Sequence, residues 1–237
     1  MRACRVFLAG EGTSDIGDLA HPAQYRRGVE GLLQPLIRRI LGQEHQIEFE
    51  GVKLTTLAKT KVKVPHKRYA RHAAQAHVLA EEENADALVF CCDVDRQAGT
   101  KKSPREVKAR IKELVDPIDL GLREARRTAD RVVPTIVATP CRMIEAWALG
   151  DPTALQEMVK RMIDMEELAR PEELWGREHD REGRHPKAVL ARILGSNPDF
   201  AAIGEAIDLV RLEQRCPLSF RPFVREVEAV IGRYRAE

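Results

Sequence analysis

The chain has 237 residues, 43% of them hydrophobic and 32% charged, with a formal net charge of +2. That length supports one large domain, or one domain carrying a substantial helical appendage. The lack of a long apolar run argues against a membrane span, and a charge so near zero excludes a uniformly basic nucleic-acid binder.

In chain order, Arg5 to Ala9 reads as an apolar strand, too short for the apolar region of a signal peptide. It ends in the glycine-flanked turn Gly10-Glu11-Gly12-Thr13-Ser14-Asp15. An amphipathic helix is expected from about Tyr25 to Leu41, kinked or broken at Pro35 and stopped at Gly42. Gln46 to Leu54 reads as a second strand. After it comes a basic connection, and then a helix from about Lys67 to Glu83. Between Gly51 and Ala80 there is no Asp or Glu, yet Lys53, Lys59, Lys61, Lys63, Lys67, Arg68 and Arg71 all occur, a local field that attracts phosphate.

Ala87 to Cys92 is continuously apolar, as in a strand covered on both faces, and Asp93-Val94-Asp95 ends it. Ser103 and Pro104 have the character of a helix N-cap and first helical residue. Val132 to Ala138 gives a fourth strand, at a sheet edge because it carries Pro134. Beyond Met143 the pattern is helical: Met143 to Leu149, Pro186 to Leu194, Phe200 to Glu213 and Pro222 to Tyr234, with a polar stretch from Leu174 to Arg184. Strands alternating with helices imply an α/β fold with a mostly parallel sheet. The expected division is an α/β domain over 1–150 and a helical C-terminal extension over 151–237 that packs on it. The five cysteines lack metal-finger spacing, and Cys91 and Cys92 read as small buried hydrophobes, free of disulfides in a cytoplasmic protein.

Functional residues of open parallel sheets collect beyond the carboxyl ends of the strands. Glu11 follows strand one, Asp93 and Asp95 follow strand three, and Arg142 and Glu145 follow strand four. Carboxylates crowded there stay ionised only if a cation compensates them. An all-oxygen set suits Mg²⁺ or Mn²⁺. Gly10-x-Gly12 is no dinucleotide fingerprint, because Asp15 replaces the third glycine and Glu11 would face the pyrophosphate. Histidines 66, 72 and 77 do not share the i, i+4 spacing of a helical zinc site, and no P-loop occurs. Trp147 reads as packed core, and Glu145 as an outer metal ligand or a partner of Arg142.

Phe7-Leu8-Ala9-Gly10-Glu11-Gly12-Thr13-Ser14-Asp15 and Val89-Phe90-Cys91-Cys92-Asp93-Val94-Asp95 resemble the first and second motifs of Toprim domains. Pro140 to Asp151, His185-Pro186-Lys187 and Cys216 to Phe223 are similar to an uncharacterised bacterial family of small Toprim-like proteins. The resemblance implies a Toprim-like sheet, a glutamate (Glu11) acting as general acid or base, and aspartates (Asp93, Asp95) holding Mg²⁺, with Asp15, Arg142 and Glu145 in support. It also implies a role in phage defence beside an ATPase encoded nearby. Arg96 and Gln97 depart from the further acids that nuclease-type sites carry after the second aspartate. The expected function is a metal-dependent nuclease or related phosphoryl-transfer enzyme, with Lys59, Lys61, Lys63, Lys67 and Arg68 holding the nucleic-acid backbone. The alternatives are a non-catalytic binding or regulatory subunit of an ATPase, and a small-molecule phosphohydrolase. DNA, RNA and nucleotide substrates all stay open, as does the oligomeric state.

Overall fold

The computed structural model describes residues 2–20, 29–42, 45–57, 68–94, 103–166, 168–180 and 182–234. Within them, four strands form one parallel sheet: β1 (Cys4–Gly10), β2 (Ile47–Lys53), β3 (Ala87–Cys91) and β4 (Thr135–Ala138). The order is β2-β1-β3-β4. Val6 pairs with Ala87 and Cys91 with Ala138, so the carboxyl ends of the strands line one edge of the sheet. β4 lies at the sheet edge, with Pro134 just before it, where its missing N–H breaks no ladder bond.

The period-two alternation of side chains divides the apolar residues between two cores. Val6, Leu8, Val89, Cys91 and Ile136 face one side, while Phe7, Ala9, Leu88, Phe90 and Cys92 face the other. The second side is covered by α4 (Arg68–Glu82) and α5 (Pro104–Arg126), with the short α3 (Leu54–Leu57) beneath them. α5 starts as its sequence suggests: Ser103 Oγ accepts the Glu106 N–H, Glu106 reaches back to the Ser103 N–H, and Pro104 follows the cap.

On the first side lie α2 (Leu33–Leu41) and the C-terminal helices: α6 (Ile144–Ala148), α7 (Pro152–Val159), α8 (Pro186–Leu194), α9 (Phe200–Ala206), α10 (Leu209–Arg215) and α11 (Phe220–Val230). Their apolar residues join those of the sheet in one continuous cluster. Trp147 is at its centre, with its ring 5.1 Å from that of Phe220 and 5.2 Å from that of Phe223. Its indole N–H donates to Ser219 Oγ at 2.7 Å, and the Ser219 hydroxyl donates to buried Glu172 at 2.6 Å. The polar edge of the largest buried side chain is thereby satisfied.

α3 and α7 form where the sequence reading expected no helix, and two expected helices differ in their bounds. The first begins at Leu33 rather than near Tyr25; residues 29–32 are non-helical and Val29 is exposed. Pro35 therefore stands in the first turn, where its missing N–H costs nothing and no kink is needed. The segment Phe200 to Glu213 is two helices rather than one. Asp208 interrupts it as an N-cap, its carboxylate accepting the Arg211 N–H at 2.9 Å.

Candidate functional site

The chain leaves β1 for β2 on one side of it, and β3 lies on the other side. The strand order therefore reverses between β1 and β3, opening a crevice beyond their carboxyl ends. Glu11 directly follows β1, and Asp93 stands two residues beyond β3. The turn after β1 is folded tightly back on itself. A Cβ at Gly10 would stand 2.8 Å from Ile16 Cγ2, a space only glycine leaves open. Within the turn, the helical residues Thr13–Ile16 (α1) bring the Asp15 carboxylate under the backbone, where Oδ2 accepts the N–H groups of Glu11 at 2.5 Å and Gly12 at 3.1 Å. The Leu32 N–H donates to Ser14 O at 2.8 Å, and Gln34 Nε2 donates to Ile16 O at 2.9 Å, tying the turn to α2.

Hydrogen bonds link the three strand ends. Glu11 Oε1 accepts the Asp93 N–H at 3.4 Å. Asp93 Oδ1 accepts the Ile144 N–H at 3.2 Å, at the first residue of α6. The next residue, Glu145, accepts the Ser14 hydroxyl at 3.3 Å, which closes the ring back onto the β1 turn. Lys187, in the first turn of α8, stands beside this ring. Its Nζ is 3.2 Å from Glu178, and it feels the charges of Glu145 and Asp93.

The electrostatics follow from burial and like charge. Burial, then the Glu145 charge, pushes the Asp15 carboxyl up to about 7. Burial raises Asp93 well above the usual carboxylate range, and the charges of Asp15 and Glu145 add to the rise. Glu145 is raised by burial and partly relieved by Lys187. Lys187 is itself held above its ordinary value, because Glu145, Glu178 and Asp93 outweigh the opposing effect of its own burial.

Of the residues expected at the site, Glu11, Asp15, Asp93 and Glu145 come together. Arg142 is buried in a left-handed backbone conformation (φ 67°) and lies beside Cys141 and His185. Glu145 takes Ser14 and Lys187 as partners. Asp95, Lys59, Lys61, Lys63 and Lys67 lie outside the described residues, as does the side chain of Arg68, which begins α4. Sequence reasoning did not single out Ser14, Glu178 or Lys187 for the site. The signals were Ser14 within the turn after the first strand and Lys187 within His185-Pro186-Lys187, each only as part of a landmark of the resemblance.

A hollow of about 660 Å³ opens directly beside the ring, with Ser14, Glu145 and Lys187 in its wall. Residues 27–228 match the family described as Domain of unknown function (DUF4276). The chain belongs to this family. The matched span carries Asp93, Glu145 and Lys187, while Glu11 and Asp15 precede it. No curated protein and no solved structure matches the chain.

Among the described residues no three His, Cys, Asp or Glu side chains stand at distances that would enclose a metal ion. The donor chemistry nevertheless fits a hard divalent cation. The donors are all oxygen, and the charge of Glu145 helps to raise Asp15 while those of Asp15 and Glu145 help to raise Asp93, a repulsion that a cation would relieve. Mg²⁺ needs only one or two direct carboxylates and keeps several waters, so a closed protein cage is not required.

Proposed function

We propose that this protein is a divalent-metal-dependent nuclease, hydrolysing phosphodiesters of nucleic acid. The supporting observation is the ring of Glu11, Asp93 and Glu145, drawn from three strand ends to the crevice between β1 and β3, with Lys187 beside it. Glu11 and Asp93, together with Asp95, would hold Mg²⁺ or Mn²⁺, which when bound activates water and offsets charge on the reacting phosphate.

The chain's own groups do the rest. Asp15 fixes the Glu11 backbone through two N–H bonds, so the Glu11 carboxylate is presented at a set place, where it completes the metal shell or moves a proton. Lys187 exchanges its Glu178 partner for a substrate phosphate and neutralises charge there. Lys59, Lys61, Lys63, Lys67 and Arg68 steady the nucleic-acid backbone without reading sequence. We place the protein in the cytoplasm, a reading supported by five buried cysteines that are all free. No helix among the described residues is long and apolar enough to cross a membrane.

The test is cleavage of single- and double-stranded DNA and RNA by the purified chain with Mg²⁺ or Mn²⁺. Wild-type protein should cleave at least one of them, and chelator or the Asp93→Asn substitution should abolish cleavage. An Asp93→Asn protein as active as wild type, or a wild-type protein that only binds, would overturn the assignment.

A further inference from the structure

The hollow beside the carboxylate ring has both charged and apolar walls. Glu145 and Lys187 line it, and so do Pro198 and Phe200, at the start of α9. A second hollow of about 440 Å³ shares Ser14, Ser196, Pro198 and Phe200 with the first, so the two meet around the Phe200 ring. That ring is half-buried, packing partly on the core while lining both hollows. The charges in the wall of the larger hollow are mixed: Lys187 and Arg192 oppose Glu145 and Glu178.

A mixed, concave, partly apolar wall is the wrong surface for a duplex, which is convex, carries dense charge outside and keeps its bases within. It suits a ligand with one anionic end and one flat apolar end. A nucleotide has that form, and its base is free to stack on a side chain only when it is unpaired. The volume lies in the range of about 300–1,000 Å³ typical of small-molecule pockets, enough for one nucleotide and too small for a duplex.

We propose that the hollow between α8 and the 195–200 loop is a nucleotide subsite, which seats one unpaired nucleotide of a single-stranded nucleic acid with its phosphate at Lys187 and its base against Phe200. This rests on the nuclease reading and narrows its substrate class. The subsite feeds the ring directly, because Glu145 and Lys187 belong to both.

Binding is to be measured by fluorescence anisotropy on the full chain, with labelled short single-stranded oligonucleotides and the matching blunt duplex, in Ca²⁺. The expected result is a single-strand affinity about 10-fold or more above that for the duplex. Phe200→Ala should remove that advantage and Phe200→Tyr should keep it. Because Phe200 also touches the core, Ser196→Trp provides a second variant. It fills the hollow from an exposed loop and should weaken single-strand binding by about 10-fold or more while leaving duplex binding unchanged. Equal affinity for the two substrates, or an undiminished single-strand affinity in folded Ser196→Trp protein, would overturn the subsite. The measurement needs no turnover. A wild-type chain that cleaves nothing sinks the nuclease assignment alone, and the subsite is still decided by anisotropy.

Discussion

Lys187 is exposed, yet it stands near three carboxylates, those of Glu178, Glu145 and Asp93, more than one ammonium group can neutralise. Losing it would leave Glu145 and Asp93 without the cation that lowers both. For the proposed chemistry, Lys187→Met should reduce kcat by about 100-fold, the cost typical of removing one preorganised donor to transition-state charge. The same variant should keep its thermal melting temperature, because the Glu178–Lys187 pair is largely exposed and contributes little to stability. Steady-state kinetics and a melt on the same preparation check both halves. Equal losses of activity and stability would assign Lys187 a merely structural role. Glu11 and Asp93 were legible in the sequence because each follows an apolar run that reads as a strand, and parallel strands bring their carboxyl ends to one edge. Lys187 was not legible. Nothing in the local pattern of α8 tells that its first turn faces the β1 turn, more than a hundred and seventy residues earlier.

α4 and α5 pack closely together, and their approach depends on Gly121. A Cβ there would stand 1.9 Å from the Ala70 carbonyl oxygen, a backbone atom that cannot swing aside. Gly121→Ala should therefore destabilise the protein by about 1–3 kcal/mol, the usual cost of overpacking, despite the better helix propensity of alanine. Urea denaturation reads this as a lower midpoint. Gly12→Ala, whose Cβ meets nothing within 4 Å in extended backbone, is the matched control and should hold its midpoint. Elements with a strong local signal were readable before folding was considered: the apolar run of β3, the capped start of α5, and α8. The breaks were harder. Asp208 divides α9 from α10 because its carboxylate caps Arg211 while its own N–H donates to Asp151, a tertiary contact that periodicity does not carry. α2 starts late because residues 29–32 are used instead to clamp the β1 turn, through the Asp18 N–H to Val29 O and the Leu32 N–H to Ser14 O.

Across the whole molecule, both helical layers bury histidine, His72 and His77 in one and His185 in the other. His77, on α4, accepts the Val133 N–H through Nε2 at 3.3 Å, and His185 precedes α8. Burial first, and neighbouring arginine or lysine charge after it, lowers both below the ordinary histidine value; nearby glutamates oppose this. A lowered folded value means that the unfolded chain takes up these protons first as pH falls. Stability is then full above the unfolded value and declines through about 6.5 and below. The histidine contribution to the unfolding free energy should therefore fall between about pH 7.5 and about pH 5.5, opposite to that of the raised carboxyls of Asp15, Asp93 and Glu145, which grows as pH falls; His77→Gln should accordingly lose less stability than wild type across that window. A difference in urea midpoint between wild type and His77→Gln that does not change with pH would contradict this.

The reversal of strand order between β1 and β3 also fixes when the proposed centre can exist. Its parts come from the turn after the first strand, the ends of the third and fourth strands, and a helix well into the C-terminal half. Contacts of such long sequence separation close late, after the loops between them have been ordered. A chain emerging from the ribosome thus carries Glu11 and Asp93 long before Lys187 is synthesised. Until then the constellation lacks its cation, and any hydrolytic power would switch on only once translation has passed α8. In a cell full of messenger and chromosome, that delay would act as a safeguard written into topology.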